Sequence, residues 1–510
     1  MNRNPLPMAL VIVLLSIALG WGAAFKLSEP PLPRTHRIHA VLQIVNDTPD
    51  KPKLMLGAAA GGVIGLIVAF FLLRQEEDFS GAPYLRFLRG TRQVRPNRLA
   101  AMCRERGGRQ AMVGPIPMPR KVENTHMLAG GATGTGKTVL MKGLIHSVLA
   151  RGDRAIILDP NGEFYATFGT PRDKLLNPYD QRTQGWSFFN EIRAEQDFHA
   201  YAKSLVPEGE SADAEEWAGY ARLLLRETAR KLDKMGQRSV RKLFQWTTIR
   251  EPEDLNEFLK GTLAESLFVG SSEATRALSS ARFVLSNKLP EHVQMPEGNF
   301  SLRDWLDDEQ GGNLFITWRE DMAVAMKPLI SAWTDCLFVA FLSQPKKRQR
   351  QLWAFLDELA SLEKLPSLKN AATKGRKHGL AMVACLQSTA QLDEIYGAKG
   401  AQTLRSCFRS LVVLGGSKTD PQTCEDMSKS LGSHEVLREE NSDSVGARGT
   451  SRNRSERSIT ERVVAPSEIS SMADLDMYVA FAGDLPIART KLDIQPYILR
   501  NEPFLERHHA

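Results

Sequence analysis

The chain has 510 residues, 42% of them hydrophobic, so it can bury a substantial core and hold more than one domain. A net charge of +7 is a mild excess, compatible with a polyanionic partner and too small to define one. The cysteines, Cys103, Cys336, Cys385, Cys407 and Cys424, are odd in number, widely spaced and free of any CxxC pair. That pattern points to reduced thiols in a cytosolic body and away from a disulfide scaffold or a zinc site.

Leu6 to Phe25 and Leu54 to Leu73 are each runs of twenty residues without a formal charge. Either is long enough to cross a bilayer as a helix, which takes about 20 residues. Gly57, Gly61 and Gly65 recur every four residues in the second run, a stripe that lets two membrane helices approach closely; lipid-facing small residues with no partner are the other reading. The first run also fits a cleaved signal peptide, with Arg3 before it and Gly22, Ala23 and Ala24 near its end. Basic residues are balanced on the two sides of the runs and do not fix orientation. A nucleotide-consuming domain further on would place both termini in the cytoplasm and residues 26–53 outside. Arg86, Arg89, Arg92, Arg95 and Arg98 then recur every three residues, a pattern suited to anionic lipid headgroups or to a DNA or ring contact.

From about Val113 a polar, proline-punctuated stretch leads to the short apolar strand predicted over Thr125 to Ala129. Behind it stands Gly131-Ala132-Thr133-Gly134-Thr135-Gly136-Lys137-Thr138, which fits G-x-x-x-x-G-K-[ST] at every fixed position. Val139, Leu140, Leu144, Val148 and Leu149 follow at helical spacing up to Ala150. Glycines there let consecutive N-H groups wrap a polyphosphate at the positive end of a helix. Lys137 supplies a mobile charge for the β- and γ-phosphates of ATP, and the Thr138 hydroxyl can ligate Mg2+.

Ala155 to Leu158 is the next strand, closing in Asp159-Pro160-Asn161-Gly162-Glu163; continuous apolar runs of this kind belong to a parallel sheet covered on both faces. Strand signals then stop for more than a hundred residues. Asp213 and Glu216 suit the start of a helix reaching Met235, with Trp217, Tyr220, Ala221, Leu224, Leu225 and Leu232 along one face. Further helices are expected from Pro252 and over Ser271 to Leu289, so residues 195–298 read as an all-α insertion. Strands return at Asn313 to Trp318, Leu352 to Leu356, Leu380 to Leu386, Ser410 to Leu414 and Tyr478 to Phe481, separated by helical segments, the first of them Met322 to Leu342. The alternation predicts an α/β domain with a doubly wound, mostly parallel sheet. Residues 438–458 are polar, without an apolar period, and read as a mobile surface excursion.

Phe355-Leu356 runs into Asp357-Glu358, so an apolar strand delivers two carboxylates at its carboxyl end. The first acid suits Mg2+ through its water shell and the second suits polarising the attacking water. Gln387 ends the next strand along the chain, at the same edge of the sheet as Asp357, where an amide can sense the γ-phosphate or serve as a polar strand cap. Arg376, in Lys374-Gly375-Arg376-Lys377-His378, can offer a cation to the site of an adjoining subunit. The predicted catalytic set is Lys137, Glu358, Arg376 and Gln387; the phosphate-binding set is residues 131–138; the metal set is Thr138 and Asp357.

Two N-terminal apolar helices, GATGTGKT at 131–138, LDPNGEF from Leu158 to Phe164, the helical insertion, FLDEL from Phe355 to Leu359 and the segment from Gly375 to Ser388 together resemble the type IV secretion coupling proteins of bacterial conjugation, of the TrwB/TraD/TraG type. The resemblance spans almost the whole chain. It implies a RecA-like P-loop motor, a homo-hexamer with a central DNA channel, a relaxase partner, secretion-channel proteins and a place among inner-membrane lipids. The division it implies is an anchor over 1–75, a RecA-like domain over 76–194 and 299–510, and an all-α domain over 195–298. The expected activity is DNA-stimulated ATP hydrolysis that pumps single-stranded DNA, with double-stranded DNA as a second substrate form. A nucleotide-switched adaptor that recruits proteins without mechanical pumping is the alternative, and a chromosome-segregation translocase a third. The sequence ends soon after Ile498 without a long acidic tail, which puts docking through such a tail in doubt.

Overall fold

The computed structural model describes residues 5–28, 44–73, 79, 81, 83–209, 211–270, 272–344, 350–446 and 449–507. By their internal contacts the residues fall into two units, one of Met1–Asp78, Ala82–Arg89 and Glu435–Thr460 and one of Phe79–Gly81, Gly90–His434 and Glu461–Ala510.

In the first unit the two apolar runs are helices, α1 (Pro5–Ser28) and α2 (Pro52–Leu73). Both are long and apolar enough to cross a membrane. They pack along the glycine stripe: a Cβ on Gly61 would lie 2.2 Å from the Ser16 carbonyl oxygen, and one on Gly57 would lie 2.7 Å from that of Gly20. Any larger residue would force the two backbones apart. Residues 29–43 of the predicted external loop lie outside the described residues. Of residues 438–458, expected to be a mobile excursion, 438–446 and 449–458 instead belong to two strands, Ser433–Gly446 and Gly449–Arg462, which with Arg86–Gly90 form a three-stranded sheet. Of the arginine run, Arg86 and Arg89 lie on that strand, and Arg89 pairs with Glu435 at 2.5 Å.

The second unit is built on a nine-stranded sheet. Its strands are β1 (Met127–Gly130), β2 (Arg154–Pro160), β3 (Lys174–Leu176), β4 (Leu314–Trp318), β5 (Leu352–Leu356), β6 (Leu380–Leu386), β7 (Ser410–Leu414), β8 (Asp476–Ala480) and β9 (Ala488–Lys491). Their order is β9-β8-β7-β1-β6-β5-β2-β4-β3. All neighbours run parallel from β7 to β3, and only β8 and β9 are antiparallel. The chain is thus an α/β protein with a mixed, mostly parallel sheet. The sequence reading missed β3 and β9: three or four residues with a charged end leave no apolar run to detect.

Each strand sends alternate residues to two cores. Ala155, Ile157, Trp353, Phe355, Val383 and Cys385 face the core closed by α3 (Lys137–Ala150). Ile156, Leu158, Leu356, Met382 and Leu386 face the other core, which is continuous with the buried residues of the helical stretch between 195 and 298. Within that stretch the described residues are helical or irregular, with α5 (Ala212–Lys234) and α6 (Ser272–Lys288) the longest helices; the short helix α4 (Glu163–Phe168) precedes it. The cap of α5 is Ser211, whose hydroxyl accepts from the Ala214 N-H, in place of the expected Asp213. Ala221, Leu224, Leu225 and Leu232 are buried as the helical spacing predicts, whereas Trp217 is 47% exposed. A third long apolar helix, α7 (Ala323–Leu342), lies within the core: the span Glu320–Leu342 is 72% buried inside the protein.

Candidate functional site

A parallel sheet collects the loops that follow its strands along one edge, and the predicted site is made there. The loop after β1 is fixed on both sides: the Gly131 N-H donates to the Leu386 carbonyl at 3.2 Å and the Ala132 N-H to that of Gly415 at 2.8 Å. Gly134 and Gly136 have φ of +83° and +112°, a conformation L side chains rarely adopt. At Gly131 a Cβ would come within 2.8 Å of both the Leu414 Cβ and the Thr135 Oγ1. The loop feeds α3, whose first residue is Lys137. Its Nζ donates to the carbonyls of Gly131 at 2.7 Å and Ala132 at 3.0 Å, so the ammonium spans the loop it belongs to.

Opposite stand the acids at the end of β5. Burial pushes the Asp357 carboxyl up to about 6, with the neighbouring Glu358 adding to the rise and Lys137 opposing it. Glu358 is also raised, by burial first, against hydrogen bonds from Ala360 and Gln387. Burial lowers the Lys137 ammonium while both carboxylates pull it back. These mutual effects place the lysine and the two acids in one electrostatic site. Gln387 joins its halves: its Nε2 donates to Glu358 Oε2 at 2.9 Å, and its Oε1 accepts from Thr133 Oγ1 at 3.1 Å. The amide orientation is fixed, because a carboxylate can only accept and the hydroxyl has a proton to give.

The match to known proteins follows the same residues. Residues 110–493 match the family model for the type IV secretion-system coupling protein DNA-binding domain. The chain belongs to that family. The coupling protein TraD of Escherichia coli K12 is 32% identical over 427 residues, covering 80% of this chain and 58% of TraD, so the chain spans less than two thirds of that relative's length. The coupling protein TrwB solved with ADP and Mg2+ is 58% identical, with a TM-score of 0.79, covering 84% of this chain and all of that one. TrwB solved with the non-hydrolysable ATP analogue ADPNP is 57% identical at the same TM-score and the same coverage.

In this coupling protein Arg376 lies apart from the other predicted residues. It is exposed on the turn Gly375–His378 that precedes β6, whereas Gln387 follows β6. Seven strand residues separate the two edges, about 20 Å. Arg376 instead neighbours the buried His126: burial, with a smaller contribution from Arg376, holds that imidazole down at about 4. Its Nε2 lies 2.8 Å from the Ala372 carbonyl oxygen and its Nδ1 accepts from the Met382 N-H at 3.1 Å.

Two features of the site have no role assigned in the sequence reading. Asp159, fully buried at the end of β2 beside β5, accepts from the Phe164 and Tyr165 N-H groups at 3.0 and 2.7 Å. Burial raises it to about 7, with Asp357 and Glu163 adding to the rise. Glu163 pairs with Lys142 at 2.9 Å and so ties α4 to α3. The available signal was an acid at the end of an apolar strand, the same signal that singled out Asp357.

Proposed function

We propose that the chain is a membrane-anchored, DNA-stimulated ATPase that couples a relaxase-DNA complex to a type IV secretion channel and pumps single-stranded DNA. The observation that carries it is the hydrogen-bonded line from Thr133 through Gln387 to Glu358, set beside Lys137. It gives one site a phosphate cradle, a cation and an acid able to take a proton from water. The donor set fits a magnesium nucleotide: a loop turned by Gly134 and Gly136 at positive φ, a hydroxyl at Thr138, and a half-buried Asp357 whose raised carboxyl favours a nearby cation. The ADP-Mg2+ and ADPNP complexes of TrwB support the same assignment.

In this reading Lys137 binds the β- and γ-phosphates of ATP, and residues 131–138 orient them. Thr138 and Asp357 hold Mg2+, which neutralises charge on the phosphate oxygens. Glu358 orients the attacking water and accepts its proton, and Gln387 reports the γ-phosphate to the loop. Arg376 of an adjoining subunit supplies the remaining cation, in a hexameric ring. Residues 1–75 anchor the chain in the bacterial inner membrane, 76–194 with 299–510 form the RecA-like motor, and 195–298 form an all-α domain.

The test is ATP turnover by the full chain in detergent micelles, with and without single-stranded DNA. DNA-stimulated turnover that Glu358→Gln lowers by about 10²-fold while nucleotide binding persists is the expected result. Tight nucleotide binding without turnover, with any polynucleotide, would refute the motor and leave the adaptor.

A further inference from the structure

The sheet has a second cluster of cations, away from the phosphate loop. The helix α8 (Thr389–Cys407), kinked at Gly397, carries Arg405 near its end, and Arg409 precedes β7. A helix after β7, α9 (Pro421–Leu431), brings Lys429 to the same place. Together with Phe408, Leu411 and Met427 these residues line a cavity of about 390 Å³.

The charges in it are unequal. Asp426 is the only carboxylate among the lining residues, and it is already engaged, accepting from Thr389 Oγ1 at 3.1 Å and from Gln422 Nε2 at 3.0 Å. Its nearest approach to Arg405 Nη1 is 3.9 Å, outside hydrogen-bond range, and that nitrogen has no hydrogen-bond partner. Arg409 is exposed. Lys429 is half exposed and 3.3 Å from Glu425 on its own helix, a pair of the weak, solvent-screened kind. Against the cations sits an apolar floor in which Phe408 and Met427 are buried and Leu411 half-buried.

A cationic wall over an apolar, aromatic-containing floor matches a ligand with one anionic and one flat apolar part. An inorganic anion would use only the wall and a hydrophobic peptide only the floor. A nucleotide unit uses both, its phosphate on the arginines and its base against the floor. We infer that the cavity lined by Arg405, Arg409 and Phe408 is a binding site for one nucleotide of an unpaired DNA strand, separate from the ATP site. It rests on the reading that the chain handles DNA. Because a base must leave its pair to reach the floor, the site favours single-stranded over duplex DNA.

The test is fluorescence anisotropy of a labelled oligo-dT with the full chain in detergent micelles, over a salt series, for the parent and for Arg405→Gln/Arg409→Gln. The expected result is about a tenfold loss of affinity, with the slope of log K against log salt reduced by about 0.7, the value for one phosphate of a single strand. Basal ATP turnover stays unchanged, and Arg405→Lys/Arg409→Lys recovers part of the affinity by keeping the charge. Parent-like affinity and slope in the double glutamine variant would overturn the inference. So would weakened competition by free dTMP with unaltered oligonucleotide binding, which would assign the cavity to a free nucleotide. A parent chain that binds no DNA at all would overturn the motor reading as well, which separates the two failures.

Discussion

The two edges of the parallel sheet are built from the same strands and do opposite things with charge. At the carboxyl edge, Asp159, Asp357, Glu358 and Lys137 are drawn together and partly buried, and their proton affinities move because each feels the others and the loss of water. At the amino edge, Arg376 and Arg409 are exposed, and the one strongly shifted group named there, His126, is held neutral among backbone partners. Among these residues the carboxyl edge carries three acids beside one lysine, and the amino edge carries two exposed arginines. A site that must stabilise a γ-phosphoryl group during transfer needs more positive charge than Lys137 alone provides. Under the proposed mechanism Arg376, about 20 Å from the site of its own chain, would supply that charge to the site of another copy.

The sharpest way to break this comparison is to remove one cation from each edge. Lys137→Ala and Arg376→Ala should each lower ATP turnover by about 10³-fold, the first with loss of nucleotide affinity and the second without it. Mixing the two variants should restore a measurable fraction of turnover, because some junctions then pair an intact Lys137 with an intact Arg376. If the mixture stays as inactive as its parts while assembling normally, the amino edge has no part in hydrolysis.

A smaller effect separates the two carboxylates of β5. Glu358→Gln should reduce turnover by about 10²-fold with nucleotide binding retained, since the amide keeps a hydrogen bond to Gln387 and loses the proton acceptor. Equilibrium binding of a fluorescent ATP analogue beside steady-state turnover checks both halves of that statement. Gln387→Ala should fall between this variant and the parent, because it leaves the acid in place and cuts its link to Thr133.

The pH profile offers a finer cut. With its carboxyl pushed up to about 6, Asp357 is ionised above that pH and protonated below it. Since kcat/KM reports groups of the free enzyme, it should fall as pH drops through about 6. A profile flat down to pH 5 would show that Asp357 is ionised throughout and lies in a wetter place than the structure gives it.

How much of this was legible in the sequence depends on where a residue stands along its strand. Asp357, Glu358 and Gln387 each follow an uninterrupted apolar run and Lys137 closes a glycine-rich loop after another strand, so their common edge was readable once the strands were taken as parallel. What was not readable is adjacency. Nothing in the order of residues says that β2 lies beside β5, and only that neighbourhood gives Asp159 its second acid. Residues 438–458 failed for a different reason: the two strands there run through a polar stretch that gives no alternation to detect. Hydropathy alone also leaves α7 looking like α1 and α2. Lys327 and Asp335 within α7 mark the difference, the aspartate accepting from the Ser367 N-H at 2.7 Å.

The smallest expected effect tests that adjacency through stability. Asp159 is fully buried and raised to about 7, so the folded chain holds its proton more tightly than the unfolded chain, where an aspartate has its ordinary value near 3.8. The sign follows from linkage: the stabilisation by that proton is fully present below about pH 4 and is lost as pH rises through about 7. Asp159→Asn has no such proton. The melting temperature of the parent relative to the variant should therefore be highest at pH 5 and decline toward pH 8, a change on the order of a few degrees. A constant difference across that range would mean that the carboxylate is already ionised at pH 5. The two N-H groups of α4 would then outweigh burial and the neighbouring acids, and the crowding of acids at the carboxyl edge would be weaker than its geometry implies.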